Sequence, residues 1–485
     1  MAAARWEDAV VPPRSAALIL AAGASSRFGS PKALARLDGR PILEHVLDAV
    51  REAGIDRIVV VLGQAAEEIE AGVEWVDEQV VRNPDPRHLS SSLQVGMDAI
   101  EALDPPVESV IVALGDQPRT RPEVIHALLV AARGADRPVI VPRYAGGGGA
   151  NPVLLRRAAF DLVDEASGDQ GLGPVLAERA DLVLEVAVDG TNPDVDTPGD
   201  LAALVWADRV RANREQVDRL REVADGADFY RAVSGVFRAD PLRSGDRVLE
   251  ALRRLVEPGD VWLDIGAGAG RYALPLALDA REVVALDPSP AMLDVLRDLM
   301  REHGIGNVRP IEGRWPPAAG DELRRKLGPD PCCDVALIAH VGYDIEAIGP
   351  FLDAMEAAAR RACVAVLMER PPASVAEPFW PRVHEEPRAA LPALGEFLAL
   401  LRARGAEPGV AFVDGETHRY PSRDELVAFL RRQLWIAGGG EKERRFEAAF
   451  EELVLETPDG WGLRDQPLLS IGVVTWHPAA ARRSP

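Results

Sequence analysis

Two series of alternating strand-like and helix-like segments constrain the fold of this chain more than any other feature of its sequence. In the first series, runs of apolar residues typical of buried strands lie at 15–22, 56–63 and 107–116. The segments between them, such as PILEHVLDAVREAG at 41–54, have helical hydrophobic periodicity. This alternation predicts a mostly parallel sheet covered by helices.

The second series begins after a long stretch with helical periodicity at about 200–255, which ADGAD interrupts at 224–228. Four further strand-like runs then alternate with helical segments: DVWLDIGAG, EVVALDPS, CDVALIAH and ACVAVLME. A chain of 485 residues is too long for one ordinary core. The sequence therefore predicts an α/β protein of two domains with a helical connection between them.

Charge and cysteine content exclude several classes of function. The net charge is -22, and no basic stripe is present to override the repulsion of nucleic acid or of an anionic membrane. The three cysteines, Cys332, Cys333 and Cys363, have neither a disulfide framework nor a zinc-site spacing. The first residues lack the layout of a signal peptide, and no apolar run approaches the roughly 20 residues that span a bilayer. We therefore expect a cytoplasmic protein that binds neither nucleic acid nor membranes.

A loop rich in small residues follows the first predicted strand, LAAGASSRFGSPK at 20–32. Its backbone N–H groups suit a phosphate, and Arg27 and Lys32 add cationic side chains. A Gly/Ser-rich loop with two solvated charges is the alternative. The carboxyl end of a strand is where α/β sheets bind ligands, and Lys32 is one of only three lysines in the chain. Both facts favour a phosphate-binding loop.

Carboxylates occur in two other segments of the first series. Asp116 lies in GDQP directly after an apolar run, where a carboxylate can hold Mg²⁺ beside a nucleotide or simply form a turn. Asp194 and Asp196 precede Thr197-Pro198, which is typical of a helix N-terminus. A helix cap explains Thr197 but leaves the two aspartates unexplained.

Together these segments resemble the MobA-like nucleotidyltransferase family, and most closely its molybdenum cofactor cytidylyltransferase branch, over about residues 15–205. The resemblance rests on the LAAG-x-S-S-R-F-G-x-x-K loop, on GDQP and on DVDTPGDL, with further matches at Asn83, at LSSSL (89–93) and at GDQG (168–171). The LAAG form, rather than LAGG, resembles the cytidine-using branch. One departure is Leu172-Gly173, where the family usually has Ala-Arg.

The family resemblance implies a Rossmann-like fold and dependence on Mg²⁺. It implies that Asp116 and Asp196 bind the metal, with Asp116, Arg27 and Lys32 acting in catalysis. It also implies contacts with the nucleotide, from the triphosphate to the base and sugar, at Leu20, Ala21, Ala22, Gly23, Arg27, Lys32, Ser90, Ser91, Ser92 and Asp116. The implied reaction is attack by the molybdopterin phosphate on the α-phosphorus of CTP, with pyrophosphate release. Its product would serve enzymes of the xanthine dehydrogenase type.

The chemistry suits these residue types. A phosphate nucleophile is already ionised near neutral pH, so catalysis reduces to positioning and charge neutralisation. Two alternatives stay open: another phosphorylated acceptor, which the Leu172-Gly173 departure motivates, and a nucleotide-binding module whose partner domain carries the only chemistry.

The second series opens on VWLDIGAGAGR at 261–271, a strand followed by a glycine turn. Asp287 ends the next strand, at the distance where an acidic residue can accept ribose hydroxyls. The stretch resembles class I methyltransferases that use S-adenosylmethionine (SAM), over about residues 225–370. The resemblance implies SAM contacts at Asp264, Gly266, Gly268, Gly270 and Asp287. An inactive Rossmann-like domain is the alternative.

The methyl acceptor is not predicted by the sequence. No Asn-Pro-Pro-Tyr element follows the run CDVALIAH, so amino methylation of nucleic acid is not indicated. His340 and Tyr343 are weak candidates to face an acceptor, because a histidine at a strand end is more often structural. The predicted architecture is thus two Rossmann-like three-layer α/β/α domains, at 1–205 and 246–485, joined by a helical segment at 206–245.

Overall fold

The computed structural model describes residues 14–23, 25, 28–224, 237–318, 320, 322–415, 419–465 and 468–478. By its contacts the chain divides into two compact units, residues 1–201 and 202–485. Among the helices described, none has the length and apolar character needed to cross a membrane.

The first unit is built on a seven-stranded sheet in the order β5-β4-β1-β6-β8-β7-β9, in which β8 runs antiparallel to both neighbours. The strands of the whole unit, of which all but β2 and β3 form this sheet, are β1 Ser15–Ala21, β2 Arg36–Leu37, β3 Arg40–Pro41, β4 Ile58–Leu62, β5 Gln79–Arg82, β6 Ser109–Leu114, β7 Val139–Tyr144, β8 Val153–Arg156 and β9 Val183–Val188. Its helices are α1 Ile42–Glu52, α2 Ala66–Gly72, α3 Leu89–Glu101, α4 Pro122–Gly134 and α5 Gly173–Glu178, with 3₁₀ turns at Lys32–Leu34, Arg157–Val163, Gly168–Gln170 and Ala180–Leu182.

Both faces of this sheet are covered because successive residues of its central strand are buried on opposite sides. Ala17 and Ile19 of β1 belong to one apolar core, which α1 and α4 complete. Leu18 and Leu20 belong to a second core, to which α3 contributes Leu93. A strand buried on both faces reads as a continuous apolar run, which is what the sequence shows. The predicted three-layer α/β/α arrangement is confirmed.

The second unit has a seven-stranded sheet in the order β12-β11-β10-β13-β14-β18-β15; the first five strands are parallel, and β18 is antiparallel to its neighbours. The strands are β10 Val261–Ile265, β11 Glu282–Asp287, β12 Val308–Glu312, β13 Cys333–Ala339, β14 Ala359–Met368, β15 Gly409–Asp414, β16 Val454–Thr457, β17 Gly460–Leu463 and β18 Ser470–Trp476. The helices are α6 Pro198–Leu220, α7 Arg247–Arg253, α8 Ala273–Leu276, α9 Pro290–His303, α10 Glu322–Leu327, α11 Ile348–Ala358, α12 Trp380–His384, α13 Leu394–Ala403, α14 Arg423–Leu434 and α15 Glu441–Leu453, with a 3₁₀ segment at Pro372–Phe379.

A small separate core lies beside this sheet. Trp380 of α12, Leu430 of α14 and Phe446 of α15 are fully or almost fully buried in it, and the hairpin β16–β17 closes it through Leu463. These elements precede and follow β15, so they are insertions at the antiparallel end of the sheet. The last hundred residues therefore complete the second sheet and add a helical subdomain.

The helix predicted over about 200–255 is shorter than expected. It begins at Pro198 and ends at Leu220, and the next helix among the described residues begins at Arg247. From Ala202 onward it belongs to the second unit, where the Trp206 indole is buried and donates to the Ile345 carbonyl at 3.0 Å. Helical periodicity predicted that this segment is a helix. The point where the helix ends depends on where its packing against other residues ends, and a polar sequence without a capping residue at its C-terminal end does not show that point. The predicted break at 224–228 lies mostly outside the described residues.

Candidate functional site

In the first unit, the predicted loop and the predicted carboxylate meet at the carboxyl ends of β1 and β6. The two strands are parallel neighbours, and the Gly115 N–H donates to the Leu20 carbonyl at 2.9 Å. A Cβ on Gly115 would lie 2.8 Å from the Ala21 Cβ, so only glycine permits this approach. This contact places Asp116 beside the LAAG loop.

Lys32 joins the two carboxylates that the sequence placed in one site. Its Nζ lies 2.5 Å from Asp116 Oδ2 and 3.1 Å from Asp196 Oδ1. Burial alone would lower the pKa of Lys32, but the charges and hydrogen bonds of Asp116 and then Asp196 leave that pKa raised. The ammonium is therefore firmly protonated and carries a positive charge inside a pair of negative ones.

A polar atom in this cluster has no protein partner. Asp116 Oδ1 is buried and accepts no hydrogen bond from any residue that the structure describes. Within the same residues, no group of three or more histidine, cysteine or acidic side chains is arranged to hold a metal alone. A metal at Asp116 and Asp196 would therefore need ligand oxygens or water as well, which is how Mg²⁺ is commonly bound beside phosphates. Arg27, the other predicted cation, lies outside the described residues.

Gln117, which sequence reasoning did not single out, connects the two acidic segments. Its Nε2 donates to Asp194 Oδ1 at 2.8 Å, and its Oε1 accepts from Asn192 Nδ2 at 3.0 Å. The Val195 N–H adds a bond to the Asp116 carbonyl at 2.9 Å. Because Gln117 is only 2% exposed, these bonds are shielded from water and hold Asp196 next to Asp116. The link joins positions 77 residues apart, so no local signal in the sequence reveals it.

We predict that Gln117→Glu will lower the free energy of unfolding by about 2–3 kcal/mol, because it removes a buried donor and sets a carboxylate against Asp194. The reciprocal change Asp194→Asn restores a donor facing position 117. The double variant should therefore recover at least half of the loss, as measured by chemical denaturation in a double-mutant cycle. Additive losses in the double variant would contradict the bridge.

The predicted nucleotide-contacting residues fall into two groups. A Cβ on Gly23 would meet no protein atom within 4 Å, so protein packing does not explain the glycine there. Ser91 and Ser92 instead have hydroxyls that each accept a hydrogen bond of 3.0 Å from Asn83 Nδ2, and Ser92 is buried. Asn83 thus anchors the first turn of α3, on which Ser90 also lies. Contact of these serines with base and sugar stays a prediction.

The GDQG segment lies against the start of the same helix. His88 and Asp169 approach to 3.1 Å, and a Cβ on Gly171 would contact the Leu89 side chain at 3.0 Å. Leu172, at the departure from the family pattern, is buried in the apolar core beneath α3. A leucine at this position therefore adds to the core and offers no charge to a ligand.

In the second unit, the glycine turn after β10 has the backbone form that its sequence predicted. Gly266, Gly268 and Gly270 all have positive φ, at 78°, 54° and 84°. Residues that carry a side chain rarely adopt this backbone conformation. Asp287 at the end of β11 fastens the turn, because its carboxylate accepts from the Gly268 N–H and the Ser289 N–H, each at 2.8 Å.

Asp264 is buried beneath this turn. Burial, and then the charge of Asp287, raise the pKa of Asp264 to about 7, against a bond from the Ala273 N–H that lowers it. The carboxyl is therefore largely protonated below neutral pH. It can act as a hydrogen-bond donor as well as an acceptor.

This shift predicts a pH-dependent stability. Between the ordinary pKa near 4 and the folded-state value, the folded protein keeps a proton that the unfolded chain has lost. The contribution of Asp264 to stability is thus fully present below pH 4 and is lost as the pH rises through 7, by up to about 4 kcal/mol. The isosteric Asp264→Asn variant should gain stability relative to the wild type from pH 4 to pH 8 in ligand-free thermal denaturation. Parallel curves for the two proteins would contradict a raised pKa.

A cavity of about 1420 Å³ opens at the glycine turn. Its lining includes the predicted residues Asp264, Gly266, Gly268 and Asp287, and also Arg243, which the sequence analysis missed. Arg243 Nε is 3.0 Å from Asp246 Oδ2, but its Nη2 is buried without a hydrogen-bond partner in the described part of the chain.

The two weak acceptor candidates have different surroundings. Tyr343 is buried, and its hydroxyl accepts from the Met368 N–H at 2.7 Å, so it is part of the structural core and does not face an acceptor. Burial is the main cause that raises the pKa of this phenol. His340 instead lines the cavity.

Comparison with known families agrees with both sites. Residues 17–183 match the family described as "MobA-like NTP transferase domain", and residues 263–323 match the family described as "Methyltransferase domain". The chain carries both of these domains. It is therefore an enzyme with a nucleotidyltransferase domain and a methyltransferase domain, and the latter implies SAM as the methyl donor.

Three individual relatives match between about a quarter and a half of the chain. The "Bifunctional protein GlmU" of Desulfitobacterium hafniense is 40% identical over 119 residues, which are 24% of this chain and 25% of that protein. The protein of the same name from Paracidovorax citrulli is 35% identical over 259 residues, which are 50% of this chain and 54% of that protein. The crystal structure of Rv0371c from Mycobacterium tuberculosis H37Rv is 30% identical, covers 40% of this chain and 97% of that one, and gives a TM-score of 0.36. The chain thus spans between a quarter and about half of these curated relatives.

Proposed function

We propose that the MobA-like domain transfers CMP from CTP to the phosphate of molybdopterin and releases pyrophosphate, with Mg²⁺ as its cofactor. The observation that carries this proposal is the convergence of Lys32, Asp116 and Asp196 at the carboxyl ends of β1 and β6. One cation and two carboxylates beside a glycine loop suit a nucleoside triphosphate and its metal.

The residues present fit a divalent cation. Asp116 Oδ1 is a buried carboxylate oxygen without a partner among the described residues, and Asp196 holds a second carboxylate on the far side of Lys32. Carboxylate oxygen is the ligand that Mg²⁺ prefers. When bound, the ion supplies charge neutralisation for the phosphates. Lys32 can then release one of its two carboxylate partners and bind a phosphate oxygen of the nucleotide instead. Negative charge builds up on this oxygen as pyrophosphate leaves, and the Lys32 ammonium stabilises that charge.

Pyrophosphate release tests this proposal. With Mg²⁺ and molybdopterin, we expect release from CTP at least tenfold faster than from GTP, and no release with excess EDTA. Release from GTP but not from CTP would show that the domain uses a guanosine nucleotide and not a cytidine nucleotide. Nucleotide binding without release would favour the alternative in which this domain only binds nucleotide.

A second acceptor is favoured by one observation. Gly173 stands where the Ala-Arg pattern of the family would place its arginine, so this position presents no cationic side chain. Another phosphorylated acceptor is therefore a candidate, and labelled CTP offered with a panel of phosphorylated compounds distinguishes it from molybdopterin. The same proposal includes two further points. The product of the reaction serves molybdoenzymes of the xanthine dehydrogenase type, and the protein is cytoplasmic.

We further propose that SAM lies along Gly266–Gly270 with its ribose at Asp287. Gly268 lines the cavity, and a Cβ there would meet no protein atom within 4 Å, so the turn leaves room for a ligand. The unpartnered Arg243 Nη2 suits the carboxylate of the methionine moiety. SAM supplies the activated methyl group when bound. The residues of this chain position it and exclude water.

A further inference from the structure

His340 is held in a backbone conformation that is uncommon for residues other than glycine. It directly follows β13 and has φ of 57°, in the left-handed region that favours glycine. Its N–H is fixed to the Val366 carbonyl at 2.8 Å, which continues the pairing of β13 with β14. Non-glycine residues in this region concentrate at functional sites, because the surrounding structure must offset the strain.

His340 lines the methyltransferase cavity, and one nitrogen of its imidazole has no hydrogen-bond partner among the described residues. Nδ1 of His340 is buried and has no hydrogen-bond partner among the residues that the structure describes. Buried polar atoms without partners are rare, and such an atom in a cavity points to a ligand group. Tyr343, three residues later, is fully used inside the core by its bond from Met368. His340 is therefore the better-placed of the two original candidates.

The position of His340 relative to the glycine turn is set by its neighbour. A Cβ on Gly266 would lie 2.5 Å from Val341 Cγ2, so Val341 packs directly on the turn. The strands β10 and β13 are parallel neighbours, and their carboxyl ends form one edge of the sheet. His340 thus lies at the same edge of the sheet as the glycine turn and lines the same cavity.

The lining of the cavity is mixed. Met368, Val413 and Ile471 are apolar, whereas Asp246, Arg271 and Asp344 are charged. Burial, and then the charge of Arg271, lower the pKa of His340 to about 4, while Asp246 opposes this shift. The ring is therefore neutral near pH 7 and has a lone pair to offer.

We propose that His340 Nδ1 accepts the proton from a small methyl acceptor that carries a hydroxyl or amine group. This inference rests on the proposed methyltransferase function. The acceptor oxygen or nitrogen forms its bond to the methyl carbon, and the carbon–sulfur bond breaks with its electron pair left on sulfur. His340 takes the proton that the acceptor loses and passes it to water through the open cavity.

The test uses diethylpyrocarbonate, which modifies neutral and accessible imidazoles, on the full chain loaded with S-adenosylhomocysteine. Mass spectrometry should find His340 modified in the loaded protein, with the half-exposed His88 as internal reference. Protection of His340 by S-adenosylhomocysteine, or no modification where His88 is modified, would overturn the proposal. Failure of the wild type to bind S-adenosylhomocysteine would instead reject the methyltransferase assignment.

A second measurement links His340 to the methyl path. Methyl iodide and bound S-adenosylhomocysteine yield SAM and iodide without any proton transfer. We expect modification of the wild type to slow this reaction at least tenfold, and the same treatment of His340→Asn to change that variant's own rate by less than twofold. Asparagine tolerates the left-handed conformation, so this variant is expected to fold. An unchanged rate in wild type with His340 modified would show that His340 lies away from the methyl path.

Discussion

Replacing Asp116 with asparagine is expected to slow nucleotidyl transfer by about a thousandfold. The change keeps the shape of the side chain but removes the charge that binds Lys32 at 2.5 Å and the buried oxygen Oδ1 that suits a metal. Both the proposed metal and the orientation of Lys32 depend on that charge. The measurement is pyrophosphate release from CTP with molybdopterin over a range of Mg²⁺ concentrations.

The matched control is Asp98→Asn, which makes the same chemical change at an exposed position on α3. We expect its rate to stay within twofold of the wild type. Thermal denaturation of both variants separates loss of catalysis from loss of folding. A rate within tenfold of the wild type for a folded Asp116→Asn protein would remove Asp116 from the metal site.

Replacing Asp287 with alanine is expected to weaken the binding of S-adenosylhomocysteine by about a hundredfold. One carboxylate accepts two backbone bonds, from Gly268 and Ser289 at 2.8 Å each, and is also the proposed acceptor for the ribose hydroxyls. A hydrogen bond to a charged group contributes about 1.5–3 kcal/mol, so this loss corresponds to roughly two orders of magnitude. Titration calorimetry of the full chain measures it directly.

Asp294→Ala supplies the control, because Asp294 is exposed on α9 and, among the described residues, its carboxylate contacts the Arg297 side chain at 2.8 Å. Its affinity should equal that of the wild type. Asp287→Asn should fall between wild type and Asp287→Ala, since an amide keeps one acceptor but no charge. Equal affinities for wild type and Asp287→Ala would place the ligand elsewhere in the cavity.

The sequence alone determined both folds, and it predicted where along the chain the two candidate sites lie. Strands such as β1 and β10 are continuous apolar runs because they are buried on both faces, and that pattern is local. Gly266 and Gly115 are required by backbone geometry, which the spacing of their motifs already reflects. The family matches at 17–183 and 263–323 lie where the motifs predicted them.

Only the tertiary structure decided how the site residues are paired. Lys32 reaches Asp196 across 164 positions, and Gln117 reaches Asp194 across 77, because the segment between β9 and α6 packs against the loops that follow β1 and β6. In the sheet, β9 is not a neighbour of either strand. The tertiary structure also distinguishes Tyr343, which is part of the core, from His340, which lines the cavity, although the two lie three residues apart on one loop. Periodicity and motif spacing record which face of a strand or helix is buried. They do not record which distant side chain meets a given donor, since that depends on the packing of the whole domain.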